Sequence, residues 1–205
     1  MKIVFATNNI HKLTEVRQIL GPGFEIVTPA DLGIAGDIPE DAPTLEGNAL
    51  QKARYIWERT RLTCFADDTG LEVAALDGAP GVWSARYAGE AKDSQANMRL
   101  LLANLEGQTD RTARFRTVIA LIIDDREYFF EGEVRGKITT GPAGHQGFGY
   151  DPVFRPSGHQ VTFAQMDPRL KNTLSHRARA VARLAESLRD LKPQPERPEP
   201  VMGLF

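Results

Sequence analysis

The chain has 205 residues, 41% of them hydrophobic, which is enough for one sizeable globular domain with room for two lobes. A formal net charge of −2 excludes the strongly basic surface that nonspecific binding to nucleic-acid polymers or membranes would favour, so any phosphate contacts are local. The single cysteine, Cys64, excludes an intrachain disulfide; with no signal-peptide core and no apolar run near the roughly 20 residues of a membrane span, it points to a soluble cytoplasmic protein.

Ile3-Val4-Phe5-Ala6 predicts a buried strand, broken by the polar run Thr7-Asn8-Asn9-Ile10-His11-Lys12. A helix follows, because Leu13, Val16, Ile19 and Leu20 recur at helical spacing until Gly21-Pro22-Gly23 stops the pattern. The hexapeptide therefore joins a strand to a helix N-terminus. Unpaired helix N–H groups, the helix dipole and the Lys12 ammonium would converge there on a phosphate. Alternatively, Asn8 and Asn9 simply cap the helix and Lys12 is solvated. Phe24 to Val27 alternates as a second strand, and residues 28 to 43, which include Glu40 and Asp41, form a loop. From an N-cap at Thr44, the apolar residues Leu45, Ala49, Ala53, Ile56 and Trp57 mark a long helix that carries Asn48 and, one turn later, Lys52.

The run Leu62-Thr63-Cys64-Phe65-Ala66 has the length and side chains of a buried strand, and it ends in Asp67-Asp68-Thr69-Gly70. This places two adjacent carboxylates at the C-terminal end of a strand, the edge where open α/β sheets bind ligands. Neighbouring anions in a partly dry site raise each other's pKa and need a cation, which a divalent metal supplies. A solvated Asp-Asp-Thr-Gly turn is the alternative. Leu71 to Leu76 then lead into a turn and an ordered loop through Ser84-Ala85-Arg86-Tyr87, and Asp93 caps a helix with Met98, Leu101, Leu102 and Leu105 on its apolar face. Phe115 to Ile123 and Tyr128 to Val134 flank a hairpin connection, so the sheet is mixed and the class α/β.

Residues 135 to 152 read as a glycine-rich loop ending in Gly147-Phe148-Gly149-Tyr150-Asp151-Pro152. There the Phe148 ring either offers its face to a base or tucks under its own loop. A last helix begins near Ser175, with Ala178, Val181, Ala182, Ala185 and Leu188 as its buried stripe. Lys171, His176 and Arg177 cluster about its start, where acids are preferred, so they indicate an anionic or acceptor-rich ligand or else a solvated basic face. One domain over 1–192 and a flexible Pro-rich tail over 193–205 complete the reading.

Five segments, Thr7 to Lys12, Ala66 to Leu71, Gly81 to Tyr87, Phe148 to Pro152 and Ser175-His176-Arg177, together resemble the inosine/xanthosine triphosphate pyrophosphatase family, in that order. The resemblance implies a homodimeric, Mg²⁺-dependent enzyme that hydrolyses ITP, dITP and XTP to monophosphate and pyrophosphate. It implies a long mixed sheet flanked by helices in two lobes, with the purine nucleotide in the cleft between them. Residue by residue, it makes Asp68 the proton acceptor and a metal ligand, Glu40 the second metal ligand, and Thr7, Asn8, Asn9, Ile10, His11 and Lys12 the triphosphate loop. Thr69, Phe148, Gly149, Tyr150, Asp151, Lys171, His176 and Arg177 match substrate-binding positions, with Lys52 and Asp67 in support. Asn8 and Thr69 stand where the family often has Gly and Ser. Gly47 replaces a frequent Glu, for which Glu46 is a candidate substitute.

The chemistry of the residues agrees. A triphosphate carries about four negative charges that call for Mg²⁺, Lys and backbone N–H groups, and Mg²⁺ takes only one or two carboxylates besides waters and phosphate oxygens. Lys171, His176 and Arg177 would donate to purine O6 and Asp151 would accept from N1–H, while Trp83 and Tyr87 are candidate dimer contacts. A phosphohydrolase for another nucleotide and a noncatalytic nucleotide-sensing or RNA-binding module are the competing readings; the acidic pair separates the latter, since a pure binder has no need of it.

Overall fold

The computed structural model describes residues 2–190; the Pro-rich segment read as a tail lies outside the described residues. Strand β1 (Lys2–Phe5) is the parallel neighbour of both β2 (Glu25–Val27) and β3 (Cys64–Val73). On its other edge β3 runs antiparallel to β5 (Thr112–Ile123), which continues through β6 (Arg126–Ile138) to β7 (Phe154–Pro156), giving the order β2-β1-β3-β5-β6-β7. The two-residue strand β4 (Pro80–Gly81) pairs with the far end of β3. The sheet is mixed, as expected. Its antiparallel part turns at Asp124-Asp125, both with positive φ (49° and 61°), the geometry of a tight hairpin whose twist matches that of its strands.

The pairing of β3 differs from the sequence reading and positions the site. Asp67, Asp68, Thr69 and Gly70 do not end the strand; they lie inside it, in a continuous ladder with β5 from Cys64 opposite Ile122 to Val73 opposite Ala113. Ladder pairing over ten residues outweighs the turn preference of an Asp-Asp-Thr-Gly sequence. On the opposite edge β1 accompanies β3 only as far as Phe65, and β4 joins only at Leu71. Between them β3 has no strand neighbour on that side among the described residues, and this gap is the floor of a cleft. Residues 135–138, read as loop, extend β6.

Helix α1 (Ile10–Leu20) starts at Asn9, whose side chain accepts from the backbone N–H groups of His11 and Lys12, and α2 (Leu45–Thr60) starts at Thr44 in the same manner. Helix α3 (Ser94–Asn104) is capped by Asp93. Lys171 belongs to a separate short helix, α4 (Pro168–Leu174), rather than to the approach of α5 (His176–Asp190), because Asp167 caps a turn beginning with Pro168. One core joins α1 and α5 to the sheet through Phe5, Phe65, Ile119 and Leu184; a second sets α2 against the opposite face through Val4, Cys64, Ala66 and Ala120. A third, around Leu71, Leu101, Phe115, Phe154 and Phe163, builds the lobe beyond the cleft. No helix among the described residues is long and apolar enough to cross a membrane.

Helix α5 approaches β6 most closely at Gly132, where a Cβ would stand 2.1 Å from the carbonyl oxygen of His176 and 2.5 Å from the Ala180 nitrogen. Gly132→Ala therefore pushes the start of α5 off the sheet and lowers stability by about 1–3 kcal/mol. Urea unfolding measures this, and a wild-type midpoint would show that α5 does not sit this close.

Candidate active site

Because side chains alternate along a strand, Asp67 and Asp68 point to opposite faces of β3. Asp68 faces α2. Its Oδ1 accepts from Lys52 Nζ at 3.2 Å and its Oδ2 from Asn48 Nδ2 at 3.0 Å. Asn48 in turn accepts the Ala42 N–H at 2.8 Å, which ties the loop carrying Glu40 to the same helix turn. Lys52 also donates to Glu40 Oε2 at 3.2 Å, so the two carboxylates share one ammonium. Burial by itself would raise the Glu40 carboxyl, but Lys52 and Lys92 hold it down at about 2. The same two acids, Asp68 and Glu40, outweigh burial to raise the Lys52 ammonium.

Asp67 faces α1 and α5. Lys12 Nζ donates to its Oδ1 at 3.0 Å, and Arg177 donates to its Oδ2 through Nε and Nη2, both at 3.1 Å. Burial opposes the charge on Asp67, yet these cations keep its carboxyl far below the usual range. Burial lowers Lys12, assisted by the neighbouring Lys52 and Arg177 and opposed by Asp67. Arg177 Nη2 also reaches Thr69 Oγ1 at 3.2 Å, and Thr69 shares a 2.7 Å hydroxyl contact with Thr117 across the ladder.

Beyond Arg177, Glu15 of α1 pairs with Arg177 Nη1 and, at 2.7 Å, with Lys171 Nζ, which lies 2.6 Å from Asp151 Oδ2. Asp151 also accepts the Phe148 N–H at 2.9 Å. This bond holds the tip of the glycine loop, and at Gly147, with φ +74°, any Cβ would strike the Asp151 carboxylate. Burial pushes the Asp151 carboxyl up despite Lys171. His176 stacks on Phe115 with ring centroids 4.6 Å apart, and its buried Nδ1 has no hydrogen-bond partner among the described residues. Of these groups Lys12, Glu40, Lys52, Asp68, Thr69, Asp151, Lys171, His176 and Arg177 line one cleft of about 780 Å³ that also takes in Thr7, Asn8 and Asn9, whereas Asp67 and Glu15 do not line it.

The sequence pattern of the Ham1 family matches residues 3–187. The chain belongs to the Ham1 family. A dITP/XTP pyrophosphatase of Porphyromonas gingivalis is 56% identical over 188 residues, covering 91% of this chain and 97% of that protein. A second, from Flavobacterium johnsoniae, is 47% identical over 92% of this chain and 98% of its own. Among solved structures, the Staphylococcus aureus Ham1 protein superposes with a TM-score of 0.84 at 39% identity, covering 93% of this chain and 99% of that one. A Coxiella burnetii HAM1 protein gives 0.85 at 37%, with the same coverage.

In this Ham1 chain the cleft gathers residues from every segment singled out in the sequence, but of the candidate site residues Asp67, Ile10 and His11 do not line it. Ile10 is 64% exposed at the first turn of α1 and does not line the cleft. His11 stacks on Phe148 instead (centroids 5.2 Å, planes 15° apart), in a smaller depression on the other side of that ring. Lys12 is not solvated, Asn9 alone caps the helix, and Asn8 donates to Gly36 O at 3.1 Å. Tyr150 is mostly structural, its hydroxyl donating to Ser84 O at 2.8 Å. Glu46 does not replace the absent acid at 47, since it pairs with Arg116 away from the cleft. Sequence reasoning passed over Glu15 and Lys92 and quoted Arg86 within the Gly81 to Tyr87 segment without giving it a role. Glu15 is an ordinary helix surface residue by spacing, and only the packing of α4 and α5 against α1 reveals its role.

Glu40 and Asp68 sharing one cation at a cleft wall fit Mg²⁺, whose other positions belong to water and phosphate oxygens. No group of three or more His, Cys, Asp or Glu side chains among the described residues forms an all-protein metal cage.

Burial, then the charges of Arg177 and Lys171, hold His176 neutral by lowering its pKa well below 6.5. An unfolded chain takes up that proton near pH 6.5 and the folded one does not, so this contribution is complete above 6.5 and is lost as pH falls. Between pH 6.5 and 5 the wild type should lose up to about 1.4 kcal/mol per pH unit relative to His176→Gln. Parallel urea titrations at pH 7.5, 6.0 and 5.0 measure the difference; equal pH slopes would mean that His176 is protonated in the fold.

Proposed function

We propose that the chain hydrolyses deaminated purine nucleoside triphosphates, ITP, dITP and XTP, to monophosphate and pyrophosphate in the cytoplasmic nucleotide pool. The observation that carries the reading is Asp68. It is a carboxylate at a cleft wall, held between Asn48 and Lys52, beside a second acid, in the same cleft as Asn9 and Lys12. Its setting in a chain this similar to named dITP/XTP pyrophosphatases supports hydrolysis over mere binding. Mg²⁺, held by Glu40 and Asp68, would neutralise phosphate charge.

The protein's own groups do the rest. The ammonium of Lys12 and the polar residues Thr7, Asn8 and Asn9 at the start of α1 receive the phosphate chain, where the helix dipole favours an anion. Asp68 accepts a proton from the water that attacks the α-phosphorus. The bond from that phosphorus to the bridging oxygen breaks, and pyrophosphate leaves with the electron pair. Lys52 holds the Asp68 carboxylate in place between turnovers.

Base choice rests on Lys171 and Asp151, a donor and an acceptor 2.6 Å apart beside the Phe148 ring. A 6-oxopurine offers O6 to the ammonium and N1–H to the carboxylate; adenine presents the opposite pattern, and such mismatches cost up to about 10⁴ to 10⁵ in selectivity. Arg177, with its side chain only 1% exposed and its nitrogens committed to Asp67, Thr69 and Glu15, supports this wall rather than contacting the base. The homodimer implied by the resemblance is part of the proposal, with the half-exposed Trp83 a candidate contact.

A panel of ITP, dITP, XTP, GTP and ATP with Mg²⁺, with products resolved as pyrophosphate or orthophosphate, tests the function. The deaminated purines should be cleaved far faster than ATP and yield pyrophosphate. Asp68→Asn should lower turnover by roughly 10² to 10⁴. Orthophosphate as the product, or near-normal turnover in Asp68→Asn, refutes the proposal.

A further inference from the structure

Glu40 is the one acid of the shared pair that both walls of the cleft hold. From its own side, Lys52 donates to Oε2 at 3.2 Å. From the opposite side, Lys92 donates to Oε1 at 2.7 Å, and Arg86 Nη2 donates to the Glu40 backbone carbonyl at 2.6 Å. Arg86 and Lys92 both come from the connection between β4 and α3, so a single residue joins the two walls.

The two lysines that saturate this carboxylate are not equivalent. Lys52 is buried and has a second anchor in Asp68. Lys92 is half exposed, its side chain has no other hydrogen-bond or ion-pair partner among the described residues, and it lines the cleft. Its backbone has φ 52°, in the left-handed region uncommon for a residue with a Cβ, one position before the cap of α3. Its ammonium meets Glu40 Oε1 at the cleft wall.

A divalent cation that takes Glu40 as a ligand repels both ammonium groups, and the weakly anchored one moves. A triphosphate entering with that cation brings about four negative charges to the space into which Lys92 is released. On the metal assignment given under Proposed function, on which this rests, we infer that Lys92 is an exchange residue. In the free protein it occupies the Glu40 oxygen that the cation needs, and in the loaded protein its ammonium passes to the phosphate chain. One side chain then has two effects of opposite sign: it weakens binding of the bare cation and strengthens binding of the phosphate-bound one. A salt bridge that merely held the two walls together would not make the bare cation bind more tightly when removed.

The test uses the full chain, as wild type, Lys92→Gln and Lys92→Arg, with thermal unfolding to show that each is folded. Calorimetric titration with Mg²⁺ alone and then with inorganic pyrophosphate in the presence of Mg²⁺ gives both affinities without turnover. In Lys92→Gln, Mg²⁺ alone should bind about 3- to 10-fold more tightly and pyrophosphate about 3- to 10-fold more weakly, the scale of a half-screened unit charge. Lys92→Arg should stay near wild type in both. Unchanged or weaker Mg²⁺ binding in Lys92→Gln, or unchanged pyrophosphate binding, overturns the inference alone, provided that wild-type ITP cleavage stops in EDTA. Cleavage that survives EDTA overturns the metal assignment and this inference together.

Discussion

Two adjacent carboxylates within one strand would repel and resist burial if they shared an environment. The period-2 geometry of β3 instead sends Asp67 to the α1/α5 face and Asp68 to the α2 face, and each meets its own cations there. Everything else at the site is arranged around that separation. Lys12 and Arg177 come from two helices that must both lie on one face of the sheet, and Lys52 and Asn48 come one turn apart from the helix on the other. Taking one partner away from a buried pair of this kind leaves an uncompensated charge, at a cost of about 3–5 kcal/mol. The residues that define the candidate chemistry therefore also hold the helices to the sheet.

The cleft itself is a consequence of unequal strand lengths. β1 stops at Phe5 while β3 and β5 run on, so α1 begins beside a stretch of β3 that β1 no longer accompanies. Ligand sites in open α/β sheets form where strands part in this manner. Here the parting lies in the middle of β3 rather than at its end, because β5 keeps that strand extended into the second lobe.

Most charged groups around the cleft are paired with one another. Lys171 pairs with Asp151 and Glu15, Arg177 with Asp67 and Glu15, and Glu40 with two lysines. The site is thus preorganised in position while its charges are already partnered. Under the proposed function, a nucleotide and its cation would gain only the difference between new contacts and those given up, which makes the less anchored groups, such as Lys92, the natural points of exchange.

The sequence by itself determined the elements whose signals are local: the strand at Ile3 to Phe5, the capped helices after Asn9, Thr44 and Asp93, the β5–β6 hairpin, and the five polar segments that carry the family resemblance. Those signals sit within a few residues of one another, where periodicity, caps and turn residues act. The tertiary structure alone decided the matters that depend on distant partners. Asp67 and Asp68 lie within a strand because β5, about fifty residues on, pairs with them. Lys12 and Arg177 are buried ion-pair partners rather than solvated cations because they meet Asp67 across gaps of 55 and 110 residues. Glu15 and Lys92 have no sequence signature at all. The reason is physical: local backbone preferences are written in neighbouring residues, whereas the role of a charged side chain is set by whichever opposite charge the fold places within about 3 Å of it.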